Sequence, residues 1–122
     1  MSLDLKREIL DLAKAQGALL FGEFTLSAGG KSSYYFDSRL LTLTPEGANL
    51  VAKAMMPLVL ESGAEMVGGP SLAADPIVSS IVALSQVGGH PISGFLVRSE
   101  PKGHGAQRLI EGPLKPRCTV AI

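Results

Sequence analysis

The sequence predicts an α/β fold, a parallel β-sheet with flanking helices, preceded by one helix and a β-hairpin. Three observations carry this. From residue 45 onward the patterns alternate as helix, strand, helix, strand, long loop, strand. Helix-start signals, Thr44-Pro45-Glu46 and Asp75-Pro76, stand directly before the helical patterns. The strand segments between them are short apolar runs of the kind that parallel sheets bury.

Taken in order, residues from about Leu3 to Gln16 put Leu5, Ile9, Leu12 and Ala13 on one helical stripe, with Lys6, Arg7, Asp11 and Lys14 mostly off it, and Gly17 as the stop. Phe24-Thr25-Leu26 and Tyr34-Tyr35-Phe36 then read as short strands around the turn-forming Ala28-Gly29-Gly30-Lys31. Thr44 offers a hydroxyl cap, Pro45 fits the first helical position and Glu46 puts an acid in the first turn, so a helix should run to about Glu61. Met66 to Pro70 is a short apolar run broken by glycine and proline. Asp75-Pro76 opens a further apolar helix that closes at Gly88-Gly89. Ile92 to Val97 is a second buried-type strand, and Thr119 to Ile122 begins a third. That last run stops at Val120-Ala121-Ile122 without a polar tail, which leads us to expect a sheet continued by residues beyond it.

The 122 residues suit one domain, and 46% apolar with 18% charged residues is ordinary for a globular chain. Eleven basic residues balance eleven acidic ones, so no whole-chain field exists to attract nucleic acid or anionic lipid. Any anion site must come from local clustering. The single cysteine, Cys118, rules out an internal disulfide framework and lacks zinc-ligand spacing to a histidine, which fits a reducing cytoplasm. The charged start, Met1 to Glu8, is unlike a signal peptide, and no run is long enough to span a membrane.

Arg98 to Pro113 joins two apolar strands and is unusually long for an internal connection. Gly103, Gly105 and Gly112 make it flexible, while Arg98, Lys102, His104 and Arg108 supply donors that could close over a polyanion. Composition alone equally allows a solvated hairpin-like loop anchored by Leu109 and Ile110. Gly68-Gly69-Pro70-Ser71-Leu72 lies between strand and helix, where an open parallel sheet has its binding crevice, and its glycines would let backbone amides approach phosphate. An ordinary tight connection is the competing explanation. Gly29-Gly30-Lys31-Ser32 is not a Walker loop, because Thr25 stands where the first glycine is needed. Gly103-His104-Gly105 is not a dinucleotide fingerprint, because Arg108 takes the third glycine's place. Alternation should point one or two of Tyr34, Tyr35 and Phe36 away from the core.

Three segments together resemble the orotate phosphoribosyltransferase family. They are Phe24-Thr25-Leu26-Ser27-Ala28-Gly29 continuing to Ser33-Tyr34-Tyr35-Phe36-Asp37, then Gly68 to Pro76, then Phe95 to Gly105. The loop Val97-Arg98-Ser99-Glu100-Pro101-Lys102-Gly103-His104-Gly105 is the most specific of them. The resemblance implies a type I phosphoribosyltransferase fold over residues 1–122. Residues 1–43 would form a helix-and-hairpin hood, and 44–122 the first part of the α/β core. It implies transfer of ribose 5-phosphate from phosphoribosyl pyrophosphate to orotate, giving orotidine 5'-monophosphate and pyrophosphate in UMP biosynthesis. Mg2+ would be bound with phosphoribosyl pyrophosphate, and a homodimer would have each mobile loop covering its neighbour's site. By resemblance Arg98, Lys102 and His104 are diphosphate contacts, Lys102 and His104 the catalytic pair among them. Tyr35 and Phe36 match residues lining the orotate base, and Leu72 with Ala73 match the pyrophosphate-side loop.

The sequence departs from that pattern at Ser27, Ala73 and Ser99, where many family members carry lysine. Each change removes a cationic contact. The family's acidic pair and Thr-Thr-Gly loop, which hold ribose and 5'-phosphate, should begin after Thr119-Val120-Ala121-Ile122. We therefore expect the 122-residue chain alone to be inactive. The alternative function is a non-catalytic phosphoribosyl pyrophosphate-binding regulator or a degenerate dimer partner.

Overall fold

In the computed structural model, which describes residues 2–105 and 108–122, helix α1 (Leu3–Ala15) leads into strands β1 (Leu19–Thr25) and β2 (Lys31–Phe36). Helices α2 (Arg39–Thr42) and α3 (Pro45–Glu61) follow, then strand β3 (Met66–Pro70) and helix α4 (Asp75–Val87). Strands β4 (Ser93–Val97), β5 (Ile110–Glu111) and β6 (Val120–Ala121) come last.

Helix α1 starts where Ser2 Oγ accepts the Leu5 amide at 3.2 Å, satisfying one of the first-turn donors. Its Ala13 packs with Ala18 and Leu41 in a small cluster that also draws in Ile9, Leu12, Leu19 and Val51. The hairpin β1–β2 is antiparallel and longer than the sequence suggests. Leu19, Leu20 and Phe21 pair with Phe36, Tyr35 and Tyr34, and the register shifts between Phe21 and Phe24.

The Thr44-Pro45-Glu46 signal forms as expected, with Thr44 Oγ1 accepting the Gly47 amide at 3.2 Å. Helix α2, too short to leave a periodic signature, seats its Leu41 carbonyl against this first turn. A Cβ at Gly47 would collide with that carbonyl. The main core lies between α3, α4 and the sheet and is built from Ala52, Val59, Val67, Val78, Ile81 and Ile92. Ile81 is wholly buried there, a burial that stabilises by roughly 1.5–3 kcal/mol. The buried polar Ser85 is satisfied: its Oγ donates to Val82 O at 2.7 Å and accepts the Ile92 amide at 2.9 Å.

Among the described residues the larger sheet has the order β5-β4-β3-β6. Strands β4 and β6 flank β3 in parallel, as expected. The sheet is nonetheless mixed, because β5 runs antiparallel to β4, pairing Val97 with Ile110 and Leu96 with Glu111. The far end of the connection after β4 thus returns to the strand it left, and Ile110 does anchor it. Glu65 ties the start of β6 to β3. Its amide donates to Thr119 O, and its Oε2 accepts the Thr119 amide, each at 2.8 Å.

Candidate functional site

Parallel pairing of β3 with β4 continues to Pro70 opposite Val97, so both strands end side by side and the connections after them start together. In an open α/β sheet that carboxyl edge is where ligands bind. One hydrogen bond joins the two connections: the Ser71 amide donates to Val97 O at 2.9 Å, one residue before Arg98.

The connection after β3 is a tight turn into α4. Ala74 N donates to Pro70 O and Asp75 N to Leu72 O, both at 3.1 Å, and Ser71 Oγ donates to Asp75 Oδ1 at 2.7 Å. The Ser71–Leu72 peptide is cis. Leu72 and Ala73 stand exposed at the tip, and among the described residues their amides have no backbone acceptor. Two N–H groups on exposed residues just before the N-terminus of α4 suit an anion.

The glycines of this segment act differently from the sequence expectation. Gly68 and Gly69 are buried within β3, and a Cβ on Gly68 would overlap the Phe95 ring. They permit close packing of β3 under β4 and α4. The backbone open to a ligand lies further on, at Leu72 and Ala73.

In the connection after β4, Arg98 N donates to Leu109 O at 2.7 Å and Lys102 N to Arg108 O at 3.0 Å, which extends the β4–β5 ladder outward. The Arg98 side chain folds back on the same connection. Its Nε donates to Glu100 O at 3.2 Å, and its Nη1 lies 3.6 Å from Glu111 Oε1. Lys102 and His104 are exposed. Ala106 and Gln107, part of the loop read from sequence, lie outside the described residues.

Leu72, Ala73 and Arg98 are therefore gathered at one sheet edge, with Lys102 and His104 on the loop that leaves it. Tyr35 and Phe36 belong to a different layer, the hairpin, which packs through β1 on α1. They also face opposite ways, as neighbours on a strand must. Phe36 shares with Tyr34, Leu19, Leu41, Lys6 and Ile9 an apolar cleft of about 340 Å³, whereas Tyr35 stacks obliquely on Phe24 at a centroid distance of 5.8 Å.

Sequence reasoning did not single out Arg39 or Glu111, and it named Ser71 and Asp75 only within the crevice segment and as a helix start, without a role for their side chains. Arg39 and Asp75 line a cleft of about 380 Å³ with Leu43, Leu72, Pro76 and Ser79, and Arg39 Nε contacts Asp37 Oδ1 at 3.3 Å. The serine and aspartate four apart at a predicted helix start were a usable signal for the 71–75 bond. No local signal links Glu111 to Arg98.

No protein-family model matches the chain. Orotate phosphoribosyltransferase of Rhodopirellula baltica is 46% identical over 111 residues, covering 86% of this chain and 58% of that protein. The enzyme of the same name from Aquifex aeolicus is 48% identical over 99 residues, covering 81% of this chain and 54% of that protein. A phosphoribosyltransferase from Corynebacterium diphtheriae superposes with a TM-score of 0.75 at 31% identity, over 97% of this chain and 63% of that one. Orotate phosphoribosyltransferase of Mycobacterium tuberculosis, in complex with 5-phospho-alpha-D-ribosyl 1-diphosphate, superposes with a TM-score of 0.69 at 29% identity, over 95% and 61% of the two chains.

A helix-flanked sheet with two connections joined at its carboxyl edge, matched by these structures over nearly the whole chain, defines the type I phosphoribosyltransferase fold. Within that class the sequence is similar to orotate phosphoribosyltransferases over most of its own length. The chain spans little more than half the length of the curated relatives it matches.

Proposed function

We propose that this chain forms part of an enzyme that transfers ribose 5-phosphate from phosphoribosyl pyrophosphate to orotate. The products are orotidine 5'-monophosphate and pyrophosphate, a step of UMP biosynthesis. The observation that carries this is the Ser71–Val97 hydrogen bond, which sets the open amides of Leu72 and Ala73 beside the root of the Arg98 loop.

Displacement at the anomeric carbon builds positive charge on the ribose while negative charge gathers on departing pyrophosphate. Donors aimed at the leaving group therefore stabilise the transition state more than the ground state. The Leu72 and Ala73 amides would hold one side of the diphosphate. Arg98, Lys102 and His104 would hold the other as the loop closes and excludes water that would hydrolyse the donor. Lys102 supplies a fixed positive charge, and His104 a hydrogen bond or a proton to a phosphate oxygen. No side-chain nucleophile is needed, because orientation of orotate against the ribose provides the remaining acceleration. Tyr35 and Phe36 would contact the base. Since they lie on opposite faces of β2, one of them does so by its ring and the other through its backbone or a shift of the hairpin.

Mg2+ would enter on the donor's phosphate oxygens, the usual way this ion is held. Among the described residues no three His, Cys, Asp or Glu side chains form a group that could hold a metal ion. A cytoplasmic homodimer, each loop serving its neighbour's site, fits the exposed positions of Lys102 and His104. Among the described residues no helix is long and apolar enough to cross a membrane.

The test is orotate-dependent consumption of phosphoribosyl pyrophosphate with magnesium, by this chain and by a form extended to its relatives' full length. Turnover in the extended form alone is expected. Absence of turnover in both would overturn the proposal.

A further inference from the structure

The loop that should grip an anion carries its own carboxylates. Arg98 spends its Nε on Glu100 O, and its Nη1 faces Glu111 Oε1 at 3.6 Å. Glu111 is placed by backbone pairing, since β5 holds it opposite Leu96. Both side chains of the pair are about two-fifths exposed, 40% and 39%. At 3.6 Å the contact is longer than a good charge-assisted hydrogen bond. A single, solvated contact of this kind is weak and yields readily to a more highly charged partner.

From this we infer that Glu111 is an internal competitor for the diphosphate at Arg98. With no anion present, Glu111 occupies the guanidinium edge that a diphosphate would use. On binding, the anion displaces it, and the carboxylate turns to solvent while β5 keeps its backbone pairing. The role of Glu111 is to weaken retention of the anion, which favours release of pyrophosphate after transfer. This inference rests on the proposed contact between Arg98 and diphosphate. It differs from a purely supportive role in sign: a residue that merely holds Arg98 in place would weaken anion binding when removed, whereas a competitor strengthens it.

The experiment is titration of this chain with inorganic pyrophosphate and magnesium by calorimetry, for the unaltered protein, Glu111→Gln, Arg98→Ala and the double variant. Glu111→Gln is expected to tighten binding about threefold to fivefold, the scale of an exposed ion pair. Arg98→Ala should weaken binding, and the double variant should match Arg98→Ala, because the competition acts only through the guanidinium. A second readout needs no substitution: the Glu111 carboxylate carbon resonance should shift when the unaltered chain is saturated with pyrophosphate. If Arg98→Ala weakens binding but Glu111→Gln leaves it unchanged or weaker, or if the carboxylate resonance stays fixed at saturation, the competitor role is wrong while the Arg98 contact stands. If Arg98→Ala has no effect, or the unaltered chain binds no pyrophosphate, the Arg98 contact itself fails and the inference falls with it.

Discussion

The Ser71 hydroxyl donates to Oδ1 of Asp75 at 2.7 Å, closing the turn whose tip is Leu72 and Ala73. The bond links the residue that is also pinned to Val97 O with the first residue of α4. Without it the turn would keep its backbone bonds but lose its side-chain brace. Ser71→Ala should cost about 1 kcal/mol, the net value of one such hydrogen bond. Pyrophosphate affinity should fall with it, and Ser71→Thr should retain both. Urea denaturation and anion titration of the three forms provide the check.

Close packing at Gly68 makes a second prediction. A methyl group there meets the Phe95 ring, so Gly68→Ala should destabilise by about 1–3 kcal/mol through overpacking. Adding Phe95→Leu makes room, so the double variant should be less destabilised than the two single losses summed. Thermal melts of the set measure this directly. A neutral Gly68→Ala would mean that β3 and β4 can part at no cost.

Ser85 gives a third. Its Oγ is the acceptor for the buried Ile92 amide, which has nowhere else to turn if the hydroxyl is removed. Ser85→Ala should therefore cost about 1–3 kcal/mol, more than the loss of an exposed serine, because a buried donor is left unmade. Denaturant unfolding gives the magnitude. Amide exchange at Ile92 should accelerate in the variant, and an unchanged exchange rate would contradict this account.

Lys102 and His104 should behave in the opposite way. Both are exposed, so replacing either with alanine should alter stability by no more than about 0.5 kcal/mol. In a form extended to its relatives' length, His104→Ala should lower kcat by about a hundredfold, the scale of a lost general acid or positioned donor. Lys102→Ala should lower it at least as far. Melting curves beside steady-state rates distinguish this from a folding defect.

Much of the fold was legible because its signals are local. Thr44-Pro45-Glu46 announces α3 through a hydroxyl, a fixed φ and an acid, all in adjacent residues, and the cap forms. Strands β3, β4 and β6 follow from apolar runs alone. Strand β5 was not legible, since two residues carry no periodicity and are defined only by the partner they meet across the loop. Helix α2 was missed for the same shortness. At the candidate site the two segments read from sequence, Gly68–Leu72 and the Arg98 loop, do start side by side, while the glycines of the first lie buried in β3. Gly68-Gly69 invites a phosphate, yet only tertiary packing discloses that Phe95 takes the space beside Gly68. Tyr35 and Phe36 stand together in sequence, and alternation separates them onto two faces. The pairing of Arg98 with Glu111 depends on β-register, which no neighbouring residue encodes.

Strand β3 lies between β4 and β6, and its contact with the start of β6 spans 54 residues from Glu65 to Thr119. Closing so long a loop costs entropy that only later contacts repay. As the chain leaves the ribosome, Met66–Pro70 emerges before either neighbouring strand does. Helices α3 and α4 are closer in sequence and can meet first, giving the nascent strand an apolar surface to rest on while its edges wait. The sheet would then grow outward from its middle, with β6 docking last and Glu65 receiving it.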